Sequence, residues 1–286
     1  MPDSLCDGHR RRGARTVVGL RLAALVARKH LAGLPALLVV AVALWETCAT
    51  FRDAHAVAGD DDWDRAAVAV RAQFQPGDLI VFAPDWIDPV GRLHLGDLVT
   101  IDMAARMDAA RYGRIWELST RGARAPETAG LVPAFAQDGG EVAVRRYDRA
   151  PVQVVADVRD RIASAKIEGG RATLELAEVG FAPHRCIEAT PPPGGQVKIT
   201  FAQLPLGTAL VGYVGLADVF TRRDVRAPGQ LDVQIGGKTV ATVAPGVDDG
   251  WVRFEAPTTP GAADVTFVAS AAAPQRLICF AAEARR

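Results

Sequence analysis

The stretch LAGLPALLVVAVALW, residues 31–45, holds no charged side chain, and the charge beside it changes sign from one flank to the other. Arg10, Arg11, Arg12, Arg15, Arg21, Arg28 and Lys29 precede it against only Asp3 and Asp7, whereas Asp53, Asp60, Asp61, Asp62 and Asp64 follow it against Arg52 and Arg65. Cations gathered on the amino side hold that side in the cytoplasm, so residues 1–30 read as a basic cytoplasmic segment and the bulk of the chain as exported. The run is shorter than the ~20 residues of a usual spanning helix. Glu46, snorkelling at an interface, extends the expected transmembrane anchor to 31–51. Pro35 would kink a globular helix and is tolerated in a membrane one. The expected address is the cell membrane, single-pass, with residues 60–286 on the extracytoplasmic (periplasmic) side. A cleaved signal peptide is the alternative, because AHA (54–56) and AVA (56–58) have the small-x-small form of a cleavage site, although the basic region before them is long for one.

With 286 residues, 49% of them hydrophobic, the chain can bury one sizeable core or two. Lys plus Arg and Asp plus Glu balance at 33 each, so no global field draws the protein to nucleic acid or another polyanion. Cys186 in HRCIEA and Cys279 in RLICFA fall in strand-like segments and are candidates for a disulfide in an oxidising compartment. The competing reading is two buried free thiols.

Residues 60–161 alternate between helical and strand patterns, an α/β layer domain built on βαβ connections. DDDWDRAAVAVRAQF opens with capping Asp residues and sets Trp63, Ala66, Ala67, Val70 and Phe74 on one stripe. LIVFA (79–83) is the short apolar run of a parallel strand covered on both faces. LGDLVTIDMAARMDAARYG reads as a second helix ending at Gly113, RIWELST (114–120) as a strand, PETAGLVPAFAQDG as a third helix and EVAVRRY as another strand. PVQVVADV (151–158) is an edge strand or exit connector. From residue 166 to 286 the texture is all-β: RATLELA, QVKITFA, ALVGYVGL, QLDVQI, KTVATVA, WVRFEA, ADVTFVA and RLICFAA recur between Gly, Pro and Asp clusters. Such a cadence predicts an antiparallel β-sandwich, jelly-roll-like, with a tight hairpin at IGGK (235–238).

The hydrophobic span, the acidic DDDWDRAAVAVRAQFQPGDLIVFAPDW and the later RYGRIWELS together resemble the soluble extracytoplasmic region of polytopic membrane glycosyltransferases, the protein-mannosyltransferase-like group, over about residues 35–150. Those enzymes carry their catalytic carboxylates in a many-helix membrane domain, which one apolar segment does not supply, so no catalytic residue is carried over. The tail from about Gly180, with its GW, RF and VTFVA strands, is similar to galactose-binding-like jelly rolls, and that resemblance implies a module that often takes glycans.

The chemistry-bearing residues concentrate after LIVFA, because the carboxyl edge of a parallel strand is where α/β folds place ligands. Asp85, Trp86, Asp88 and His94, with Asp97 and Asp102 behind them, are ligand-binding candidates; as an alternative two of the carboxylates serve an enzyme of glycan metabolism as acid and base. Turn initiation and N-capping explain the same carboxylates without a ligand. In the sandwich Trp251 or Tyr213 can stack on a sugar while Arg222, Arg223, Asp248 or Asp249 bonds its hydroxyls. Against this, Trp251 also suits a core position and DDG an ordinary turn. APDWIDP has no glycine-rich phosphate cradle, and neither a closed metal motif nor a nucleophile elbow is present, so no cofactor, no metal and no catalytic residue is expected. The combined expectation is a membrane-anchored binding or accessory protein whose partner is a cell-envelope glycan or a membrane glycosyltransferase.

Overall fold

The structure is a computed structural model that describes residues 35–54, 57–138, 140–217, 227–274 and 276–286. The basic segment 1–30, residues 55–56 of the cleavage-like motifs, and Arg222 and Arg223 lie outside the described residues. By contacts the chain divides into two compact units, Met1–Val57 and Ala58–Arg286.

In the first unit, helix α1 (Pro35–Ala54) is 20 residues long, and Leu37, Leu38, Val39, Leu44 and Trp45 stand exposed on it. At 1.5 Å per residue it measures about 30 Å, the thickness of a bilayer's hydrocarbon core. Among the described residues it is the one helix long and apolar enough to cross a membrane by length and composition.

The second unit begins with α2 (Asp60–Arg71), where Asp62 accepts a bond from the Gly59 amide at 3.1 Å and Trp63, Ala66, Ala67 and Val70 are buried. Strand β1 (Leu79–Ala83) is buried at all five positions because both its faces are covered. Ile80 and Phe82 join the cluster under α2; Leu79, Val81 and Ala83 join a second cluster with Met103, Ala109 and Ile115. Helix α3 (Asp88–Leu95) crosses β1 at Gly91, where a Cβ would stand 2.0 Å from the Phe82 ring. Only a residue without a side chain permits that approach. The sheet runs β1-β2-β4-β3, with β2 (Arg114–Ser119) parallel to β1 and β4 (Ala143–Asp148) and β3 (Phe135–Asp138) antiparallel.

Two expected helices are corrected. In the segment ending at Gly113 only α4 (Ile101–Ala104) forms, because the carbonyls beyond it are used by other parts of the molecule: Ala105 accepts from the Arg185 amide at 3.0 Å and Ala110 from the Val152 amide at 3.0 Å. A continuing helix would need those carbonyls for its own ladder. PETAGLVPAFAQDG makes a single 3-10 turn at Pro126–Thr128 and then β3; Gly130 at φ 75° and Pro133 break any helix between.

The sandwich contains β5 (Val154–Asp157), β6 (Lys166–Glu168), β7 (Arg171–Val179), β8 (Ala182–Thr190), β9 (Gln196–Leu206), β10 (Ala209–Leu216), β11 (Gly229–Ile235), β12 (Lys238–Val243), β13 (Val252–Pro257), β14 (Gly261–Ala271) and β15 (Ile278–Arg285). One sheet runs β13-β10-β15-β8-β7, with β5 also on β15; the other runs β12-β11-β14-β9-β6. From β8 to β15 the order 8-15-10-13 faces 9-14-11-12, which is two interleaved Greek keys and therefore a jelly roll. Val197, Ile199, Phe201, Phe267, Phe280 and Leu210 meet between the sheets. The IGGK hairpin forms with Gly236 and Gly237 at φ 55° and 80°, a type I′ turn. Cys186 and Cys279 are joined in a disulfide with Cα atoms 5.6 Å apart.

Strand β15 is buried along its whole length. Ile278, Phe280, Ala282 and Ala284 face the core, whereas Glu283 and Arg285 face the opposite way and are covered as well. Their cover is the segment after α4. Arg285 grips Asp108 with two bonds of 2.9 and 2.8 Å and holds Glu283 at 2.8 Å, while Arg159 bonds Asp157 at 2.5 Å and reaches Glu283 at 3.4 Å. Burial raises the Glu283 carboxyl above the ordinary glutamate value, against the opposing pull of Arg285. Asp108 goes the other way: burial lifts it, but the Arg285 hydrogen bonds and charge outweigh that and leave it below the usual range.

Candidate functional site

The carboxyl end of β1 opens into a cleft of about 740 Å³ between the α/β layer and the sandwich. Such a volume lies inside the roughly 300–1,000 Å³ of small-ligand sites. One wall comes from β1 and the turn into α3, with Asp85, Asp88 and Arg92; the floor is the irregular segment 104–110; Glu127 and Arg149 close one side. The opposite wall is the β7–β8 hairpin, Gly180 to His184.

Charge in the cleft is mostly paired. Asp88 holds Arg92 at 2.6 Å, and Arg106 pairs with Glu127 and donates to the Met103 carbonyl at 2.8 Å. Asp85 is exposed, its backbone carbonyl accepts from the Asp88 amide, and its carboxylate makes no hydrogen bond or ion pair among the described residues. Trp86 beside it is 64% exposed, with the Arg121 guanidinium 5.9 Å from its ring centre.

The hairpin wall has an unusual backbone. Gly180 and Phe181 form its two-residue turn at φ 60° and 68°, so a phenylalanine occupies a left-handed position that normally falls to Gly or Asn. The residue is 77% exposed and lines the cleft. A Cβ at Gly180 would stand 3.0 Å from Gly250 Cα, so the hairpin tip rests against the turn that carries Asp248 and Asp249. That turn is closed by the Gly246 amide donating to Asp249 at 2.8 Å, and Asp248 is exposed on it.

Behind the hairpin lies a stack of rings. Trp251 is nearly parallel to His184 at 4.3 Å between centres and to Tyr213 at 6.0 Å, and its indole N–H donates to the Met107 carbonyl at 3.2 Å. His184 Nδ1 lies 3.3 Å from the Arg106 carbonyl, which can only accept, so the hydrogen sits on Nδ1. Burial dominates the imidazole and pulls its pKa from 6.5 down to about 4; the bond to the Arg106 carbonyl opposes it. The ring is therefore neutral at physiological pH.

The structure thus brings Asp85, Asp88 and His184 to one cleft, with Trp251 packed behind its wall and Asp248 on the adjoining turn. His94 is elsewhere: it stacks on Trp63 at 6.0 Å and bonds Asp64 at 2.9 Å. Asp97 is held by Arg71 and Asp102 by Arg185 at 3.1 Å. Phe181, Arg106, Glu127 and Arg149 escaped sequence reasoning. The visible signal for Phe181 was an aromatic in the two-residue gap between strand-like LAEV and APHRCIEA. Among the described residues no group of three His, Cys, Asp or Glu is placed to hold a metal ion.

No protein-family model matches the chain, and no curated protein matches it. Among solved structures, CBM51-2 in complex with GlcNAc and INT domains from Clostridium perfringens ZmpB is similar at TM-score 0.36 and 12% identity, over 74% of this chain and 47% of that one. The same domains without GlcNAc give TM-score 0.31 and 10% identity over 50% of this chain, which spans 34% of theirs. A family 35 carbohydrate binding module from Clostridium thermocellum gives TM-score 0.29 and 12% identity over 47% and 97% of the two chains. The chain spans about half or less of the ZmpB structures. Scores this low carry no functional argument, and these structures give the glycosyltransferase likeness of residues 35–150 no support.

Proposed function

We propose that the chain is a membrane-anchored, extracytoplasmic glycan-binding protein that holds its ligand in the cleft at the end of β1 without transforming it. The observation that carries this reading is Phe181, an aromatic ring offered to a cleft of ligand size from a backbone conformation that disfavours it. Strained residues concentrate where function retains them. An exposed ring stacks on the apolar face of a pyranose, and Asp85, Asp88, Arg106 and Glu127 supply the acceptors and donors that a sugar's hydroxyls need. Trp251, in this reading, positions His184 and the hairpin rather than touching sugar. Helix α1 serves as the anchor.

The test is a glycan array probed with the full chain in detergent, followed by Phe181→Ala and Asp85→Asn. Binding that both variants abolish at unchanged melting temperature supports the proposal. A silent array, or a hit that both variants retain, overturns it. Cleavage of a bound glycan would move the site to the enzyme alternative, and co-purification with a many-helix glycosyltransferase would favour the accessory role.

A further inference from the structure

Arg149 stands out among the cleft's cations. Arg92 has Asp88 and Arg106 has Glu127, but Arg149 has no carboxylate within 4.0 Å among the described residues. Its Nε donates to the Tyr112 carbonyl at 3.0 Å and one Nη to the Ala109 carbonyl. A guanidinium carries five N–H donors, so three remain for the cleft that the side chain lines. Burial also pulls its pKa below the ordinary arginine value, the mark of a cation taken from water without an adequate counter-charge. The two backbone bonds fix the plane of the fork before any ligand arrives, and a fixed fork suits a carboxylate. On the β1 wall of the same cleft the Asp85 carboxylate supplies an unpaired acceptor for a hydroxyl.

Resting on the glycan reading above, we infer that the cleft selects an acidic glycan, a sugar bearing one carboxylate, which Arg149 receives while Asp85 bonds a hydroxyl. A monoanion fits better than a phosphate ester, because one unpaired guanidinium must balance the ligand while Asp108 and Glu127 act on the same cation from nearby.

Titration calorimetry of the full chain in detergent with methyl galacturonoside, its methyl ester and methyl galactoside tests the inference. A charge-assisted, two-bond contact predicts about tenfold or more tighter binding of the acid than of the ester. Raising salt should erode that difference. Arg149→Gln should bring the acid's affinity down to that of the ester. If the wild-type chain binds acid and ester equally, the acidic selection is overturned while glycan binding stands. If it binds none of the three and the array is silent, the glycan reading falls with it. The acid-to-ester comparison uses the wild-type chain alone, so it decides the matter even if Arg149→Gln loosens the segment it braces.

Discussion

Lowering the pH from 7.5 to 5 should loosen the seam between the α/β layer and the sandwich through one group, His184. Its folded pKa of about 4 lies below the value of 6.5 it has when exposed. Between these values the unfolded chain binds a proton that the folded chain refuses, so stability rises with pH across this window. The contribution is whole above pH 6.5 and is lost as pH falls toward 4. A shift of this size corresponds to about 3 kcal/mol over the full window, of which about 2 kcal/mol has gone by pH 5. Asp108, held low by Arg285, adds its loss only below the ordinary aspartate range, and buried Glu283 works in the opposite sense. Both are common to wild type and His184→Asn, whose amide still reaches the Arg106 carbonyl, so the difference between the two curves isolates the imidazole. The assay is urea unfolding of the full chain in detergent at half-unit pH steps. The wild-type midpoint should fall by roughly 1 M more than the variant's between pH 7.5 and 5. Parallel curves would refute the reasoning.

Replacing Cys186 and Cys279 together with Ala opens a loop closed over a sequence separation of 93 and should cost about 4 to 5 kcal/mol on a chain-entropy estimate, read from urea midpoints; a cost below about 1 kcal/mol contradicts it. Glu117→Ala should lower stability by about 3 to 5 kcal/mol in thermal melts, because the buried carboxylate accepts from the Ala125 amide at 2.9 Å and balances Arg124 at 3.0 Å and Arg145 at 3.7 Å. Phe181→Gly should raise stability by about 1 kcal/mol by relieving the left-handed turn, while glycan binding on the array disappears.

The sandwich was legible because its strands follow simple alternation: in QVKITFA the inward positions are Val197, Ile199 and Phe201. β1 was legible for a different reason, an unbroken apolar run that demands cover on both faces. Strand β15 was only half legible. The strand expected from RLICFAA stops at Ala282, and nothing local announces that it runs on through Glu283 and Arg285 or that a segment more than a hundred residues earlier covers them. The same segment explains the misread helix after α4, since its apolar spacing is helical but its carbonyls answer to Arg185, Val152 and Trp251. In the cleft, Asp85 and Asp88 followed from strand polarity. Arg149, Phe181 and His184 did not, because they arrive from other elements and only packing makes them neighbours.

Strand β15 also sets the order in which the protein can mature. It lies between β10 on one side and β8 with β5 on the other, yet it is translated after all of them. Until it emerges, β8 and β10 present bare, mostly apolar edges that invite pairing with other chains. Closure of this jelly roll is therefore a late, long-range step, and a nascent chain waiting for it depends on being kept apart from its copies.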